Sequence, residues 1–200
     1  MVYSPMIRPL RSGMLEAKAA GLYREHVLSA SLETRDAAAM TPAVTPLDGS
    51  LFGPGQPCFG CSPDNPAGFH LRFVTEGDDV ITRMVPQQHH QGPLGLMHGG
   101  LISTLADETA AWAVLAVTGK FGFTTHFEAR LSKGVRIGLE VEARARVTKN
   151  STRVVKATVE IRQQGELCFT GDFTFVVLDR SGAERLMGGP MPEKWLKYCR

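Results

Sequence analysis

Residues 99–118 read GGLISTLADETAAWAVLAVT. Leu101, Ile102, Leu105, Ala106, Ala110, Trp112, Ala113, Leu115 and Ala116 recur at helical spacing and leave almost no face polar, which predicts one helix over the whole stretch. A helix apolar on nearly every side must be enclosed by other parts of the protein. Asp107 and Glu108 sit in its middle, and an ionised carboxylate removed from water costs several kcal/mol unless it is paired. Either both acids lie on a narrow exposed strip or beside an arginine, or one of them is a catalytic acid in a pocket. Successive helical residues point about 100° apart, so the two carboxylates are not expected to face one small cavity. At the helix start, His98-Gly99-Gly100 is either a plain turn with its N-cap or an oxyanion hole. In the second reading the glycines let a ligand approach unpaired N–H groups at the positive end of the helix dipole.

Working outward, 70–75 and 79–85 are β-rich runs around the turn residues Glu76, Gly77 and Asp78, the pattern of a hairpin. Beyond the helix, strands are predicted over 124–131, 139–147, 153–163 and 167–178. Val141, Ala143, Ala145 and Val147 alternate with Glu140, Glu142, Arg144 and Arg146, so one face is buried and one is wet. Short turns at 149–152 and 164–166 make the last three strands an antiparallel meander. Two strands, a buried helix and four strands form an α+β fold in which the sheet curls round the helix, the hot-dog arrangement.

One sheet covers only part of such a helix, which predicts a second subunit. The glycine turn demands one as well. Gly99 and Asp107 are eight residues apart, hence about 12 Å along one helix, too far to act on one carbonyl carbon. Two such helices antiparallel across a two-fold axis would set the N-terminus of one beside the middle of the other. A homodimer or a dimer of dimers follows.

The totals exclude several classes. The 22 basic and 20 acidic residues give a net charge of +2 with no basic field, so nucleic acid is not the expected partner. Residues 1–13 contain no long apolar run and do not read as a secretory signal. The longest apolar run, 110–117, falls short of the roughly 20 residues needed to span a bilayer. Four unevenly spaced cysteines do not make a disulfide framework, and the expected location is the cytoplasm. Residues 1–50 read as a helical extension and linker, with an amphipathic pattern over 11–40 and prolines crowding 41–66. The main domain then spans 51–180, with 181–200 as a surface tail that has room for a short helix.

Cys58 and Cys61 form a C-x-x-C pair, but a zinc site takes about four ligands. Only His70 lies near in sequence, so no metal is expected. His70 and His126 fall inside strand candidates and read as structural. Arg130, Lys133, Arg136, Lys149 and Arg153 either solvate strand ends or bind phosphates. Leu101, Leu105, Trp112, Met84 and Met97 are candidates for an apolar pocket wall.

Three motifs then combine: Cys58-Phe59-Gly60-Cys61 followed by Asn65-Pro66-Ala67-Gly68, the run from Gln91 through Gly92-Pro93-Leu94-Gly95-Leu96-Met97 to His98-Gly99-Gly100, and Leu105-Ala106-Asp107-Glu108. Together they resemble the PaaI-like hot-dog thioesterases, including the mammalian thioesterase-superfamily members, over roughly residues 57–178. The resemblance implies an acyl-coenzyme A thioesterase in which coenzyme A is part of the substrate and no other cofactor is needed. The family's histidine-to-aspartate spacing carries the catalytic role to Asp107 rather than Glu108. It also implies an oxyanion donor at Gly99 with Gly100 beside it, and a site threonine at Thr124, with Thr125 as second choice. His98 belongs to the same turn. Gly92 stands where many relatives carry asparagine, leaving Gln91 or His90 as the polar group, and Gly134 stands where proline is common. Glu108 and the basic residues Arg130, Lys133 and Arg153 are the further substrate-binding candidates. The competing readings are a non-catalytic acyl-coenzyme A binding module, and a hydratase or dehydratase, which would need a histidine beside Asp107.

Overall fold

A computed structural model of the chain describes residues 44–47 and 58–200; the helical segment expected at 11–40 and most of the proline-rich linker lie outside them. Seven strands and two helices follow in the order β1 (Val44–Pro46), β2 (Phe73–Glu76), β3 (Asp79–Met84), α1 (Gly99–Thr118), β4 (Gly122–Leu131), β5 (Val141–Asn150), β6 (Val154–Gln163), β7 (Glu166–Val177) and α2 (Arg180–Met187). The strands form one sheet in the order β1-β2-β3-β5-β6-β7-β4, with every neighbour antiparallel. This is the hot-dog arrangement. The expected meander is β5-β6-β7, and its second turn is set by positive φ at Gln164 and Gly165, the backbone that two-residue hairpins require.

α1 lies across the inner face of the sheet, where Ala143, Ala145, Ala157, Val159, Phe169 and Phe173 are buried. Small side chains on both partners, with Ala106, Ala110 and Ala113 from the helix, permit close approach. Trp112 stacks on Phe73 of β2 at 4.9 Å, tying the helix to the first hairpin. Thr109 is fully buried and returns its hydroxyl to Leu105 O at 2.6 Å, so that hydroxyl is not stranded. By length and composition α1 could cross a bilayer, yet here half of it is buried inside the protein.

Two expectations are corrected. Val44–Pro46 is a strand, not linker: it pairs with β2 at the sheet edge, where a proline is tolerated. Residues 180–200 are more than a surface tail, since α2 and a 3₁₀ turn over Glu193–Tyr198 bury Ala183, Met191 and Trp195. Asp179 caps α2 by accepting from Gly182 N at 2.8 Å, and Phe121 N donates to Tyr198 O at 2.8 Å.

Asp79, only 6% exposed, pairs across the β3–β5 ladder. Arg146 donates to both of its oxygens at 2.6 and 3.0 Å, and Arg144 adds a bond of 3.1 Å. Burial pushes the Asp79 carboxyl up, but the two guanidinium groups overcome it and hold the carboxyl below the usual range. Asp79→Asn is expected to cost about 1–3 kcal/mol at neutral pH, discounted from a buried pair because both arginines reach solvent. A depressed carboxylate contributes stability above its unfolded pKa and loses it as pH falls through the folded one. The gap between the two proteins in urea unfolding should therefore narrow between neutral pH and about pH 3.

Candidate active site

The first half of α1 is not apolar all round. Gly100, Ser103, Thr104 and Asp107 line an open groove whose other wall is Thr124, Thr125, His126 and Phe127 of β4. Asp107 and Thr124 also line a second, more enclosed cavity of about 290 Å³, walled by Ala111, Trp112, Leu115, Phe121, Phe123 and Phe175. Asp107 thus stands where an open groove meets an apolar chamber. Of the wall residues expected from sequence, only Trp112 lines this chamber; Leu105 and Met97 are sealed in the core. Phe121, Phe123 and Phe175 went unpredicted because tertiary packing, including Trp195 against Phe121 at 5.0 Å, brings them together.

Asp107 is positioned by a defect in β4. The β4–β7 register shifts between Thr124 and His126, so Thr125 is an extra residue, and a bulge of this kind re-aims side chains. Thr124 and Phe127, three apart rather than two, both reach the groove. Thr124 donates its hydroxyl to Asp107 Oδ1 at 2.7 Å. Phe127 stacks on the buried Phe173 at 5.3 Å. Burial raises the Asp107 carboxyl above its ordinary value, and the Thr124 bond opposes part of that rise. A part-buried carboxylate oriented by one donor, with no hydrogen bond to its second oxygen among the described residues, suits a general base or nucleophile.

His98 is the N-cap of α1. Its Nδ1 accepts from Gly100 N at 3.0 Å, and its carbonyl accepts from Leu101 N and Ile102 N. Gly100 N–H is therefore occupied, whereas Gly99 N–H meets no acceptor among the described residues. Gln91 is also committed: its side-chain oxygen accepts from Gly95 N at 2.9 Å and closes the 91–97 loop. Thr125 donates to Thr174 O at 3.2 Å while lining the groove. Arg130, Lys133 and Arg153 line neither the groove nor the chamber. Arg130 falls with Glu128, Thr158 and Asp172 on another surface, and Lys133 is ion-paired with Glu166.

Contrary to the sequence reading, Glu108 lines the same chamber as Asp107. The chamber curves round the helix far enough to meet both. Glu108 is pushed up to about 8 by burial first and by neighbouring Cys58 second.

Residues 94–169 match the thioesterase superfamily model. Over that span the chain is similar to the thioesterase superfamily. The match takes in α1 and the strands β4, β5 and β6. Three solved structures share the fold. A thioesterase superfamily protein has a TM-score of 0.54 and 23% identity, over 57% of this chain and 57% of that one. Thioesterase superfamily member 2 from zebra fish has a TM-score of 0.51 and 24% identity, over 56% and 88%. A thioesterase, phenylacetic acid degradation-related protein from Ralstonia eutropha, described as putative, has a TM-score of 0.51 and 20% identity, over 55% and 86%. This chain spans just over half the length of the first of these relatives. No curated protein matches the sequence. At these identities the thioesterase-superfamily structures establish the fold, and the chemistry has to be argued from the groove.

Proposed function

We propose that this protein hydrolyses acyl-coenzyme A thioesters, with Asp107 as general base or nucleophile. The observation that carries the reading is the carboxylate held by Thr124 at the junction of groove and chamber. The chamber takes the acyl group, and its aromatic walls suit a compact apolar or aryl acyl chain. The open groove takes the thioester and the start of the pantetheine arm. Free acid and coenzyme A leave, and no cofactor beyond the substrate is invoked. A cytoplasmic location agrees with such a substrate.

The site is completed by a second copy. Among the described residues β4 is a sheet edge that pairs with β7 alone, and Phe127 and Leu131 on it are 46% and 50% exposed. An unpaired edge carrying apolar side chains beside an open groove is an interface waiting for a partner. In the dimer the partner's helix start would lie against this groove. Its Gly99 N–H, which meets no acceptor among the described residues, then faces the thioester carbonyl as oxyanion donor.

The test is thiol release from a panel of acyl-coenzyme A substrates of varied length and aromatic content. Turnover that is highest for compact or aryl acyl groups supports the reading; binding without turnover across the panel overturns it in favour of a non-catalytic module. Thr124→Val keeps shape but removes the donor to Asp107. It should lower kcat about tenfold or more with KM little changed, as expected for a group that orients the base and not the substrate.

A further inference from the structure

We propose that Cys58, Cys61 and Glu108 form a binding site for zinc, with three protein ligands and a fourth position open to the acyl chamber. Cys61 Sγ lies 3.3 Å from Cys58 Sγ, and Cys58 Sγ lies 3.2 Å from Glu108 Oε1. All three ligand atoms fall within 4.8 Å of one another. The sequence reading set this pair of cysteines aside because only His70 lay near. The fold instead carries the His70 ring outward to Asn65 O at 2.6 Å and brings Glu108 in from α1, fifty positions away.

The surroundings are built for the three groups to meet. A Cβ on Gly60 would fall 2.2 Å from the Glu108 carboxyl carbon, so only glycine between the cysteines lets that carboxyl arrive. Backbone N–H groups of Gly60 and Cys61 face the Cys58 sulfur, and N–H donors around a metal-bound thiolate orient it and stabilise its charge. Cys61 is 4% exposed, whereas Cys58 and Glu108 line the chamber. Three ligands on one side and an open fourth position on the other is the layout of a reactive rather than a purely structural zinc site.

Charge points the same way. Three acidic groups crowd into a poorly solvated corner, and the one basic side chain lining the chamber, Lys120, is spent on Asn150 Oδ1 and Ser151 O. A dication would offset that charge, each thiol that binds it releasing its proton to water. A disulfide between the cysteines fits less well, because Glu108 would lose its thiol partner and keep its burial. Tetrahedral zinc at 2.3 Å from each sulfur holds the sulfurs about 3.8 Å apart, so they need to separate by about half an ångström.

The full-length chain, treated with chelator and reductant and then given zinc chloride, should hold one zinc per subunit by native mass spectrometry. Cobalt(II) in its place should give the visible spectrum of tetrahedral thiolate coordination. Both cysteines should then be protected from thiol reagents until chelator is added, a result read on the unaltered protein. Cys58→Ala with Cys61→Ala should abolish binding, and Glu108→Gln should weaken it at least about tenfold. No uptake by the reduced protein, uptake undiminished in the double-cysteine variant, or a cysteine pair recovered only as a disulfide that takes no metal after reduction would overturn the proposal.

Discussion

Asp107→Asn should reduce kcat for acyl-coenzyme A hydrolysis by about a thousandfold or more while leaving the fold intact. The amide keeps the size of the carboxylate and can still accept from Thr124, so geometry is preserved and only basicity is lost. Loss of a positioned general base costs about 10²–10⁴, and loss of a nucleophile costs at least as much. Stability should move the other way. Burial raises the Asp107 carboxyl, which means the folded state disfavours the charge. A raised carboxyl detracts from stability as pH climbs through and above its unfolded pKa. The neutral variant escapes that penalty, so its Tm at neutral pH should equal or exceed that of the parent. Steady-state kinetics with a thermal melt on the same preparation read both effects, and a stable variant with parental turnover would remove Asp107 from the chemistry.

Gly99→Pro isolates the other half of the proposed site. Gly99 is the first helical residue after the N-cap His98, whose φ of −63° and ψ of 133° are extended. Proline favours the first helical position and requires an extended residue before it. A Cβ there would lie 3.2 Å from Leu131 Cδ2, the end of a flexible side chain that has room to give. The substitution therefore deletes one N–H that no described acceptor uses and little else. Tm should shift by only a few degrees. If that N–H stabilises the oxyanion, kcat should fall by about 10²–10³. An unchanged kcat would send the oxyanion elsewhere.

How much of this was legible beforehand depends on whether the physics was local. The bounds of α1 at 99 and 118 could be read directly, because Gly99 follows a capping residue and Gly119 takes the left-handed conformation that ends a helix. The meander was legible from strict alternation. β1 was not, because Val44–Pro46 has no periodicity of its own and exists only by pairing with β2. At the candidate site, the Asp107–Thr124 pair was within reach only through the family resemblance, which implies a site threonine at the start of the strand after the helix. The chamber was not, since Phe121 and Phe175 meet only after the C-terminal turn has packed. Nor was the approach of Glu108 to Cys58, which depends on a missing side chain at Gly60. Arg130, Lys133 and Arg153 line neither groove nor chamber of the single subunit, because sequence position alone does not say which surface each strand face presents.

In the proposed dimer each site draws its base from one subunit and its oxyanion donor from the other. Asp107→Asn and Gly99→Pro, each inactive alone, can be co-expressed with different tags and the mixed dimer purified through both. That dimer holds one site with both groups intact and one with neither, and it should regain about half the parental turnover. A mixed dimer as inactive as its two parents would mean that both groups act from the same chain, and the shared site would have to be abandoned.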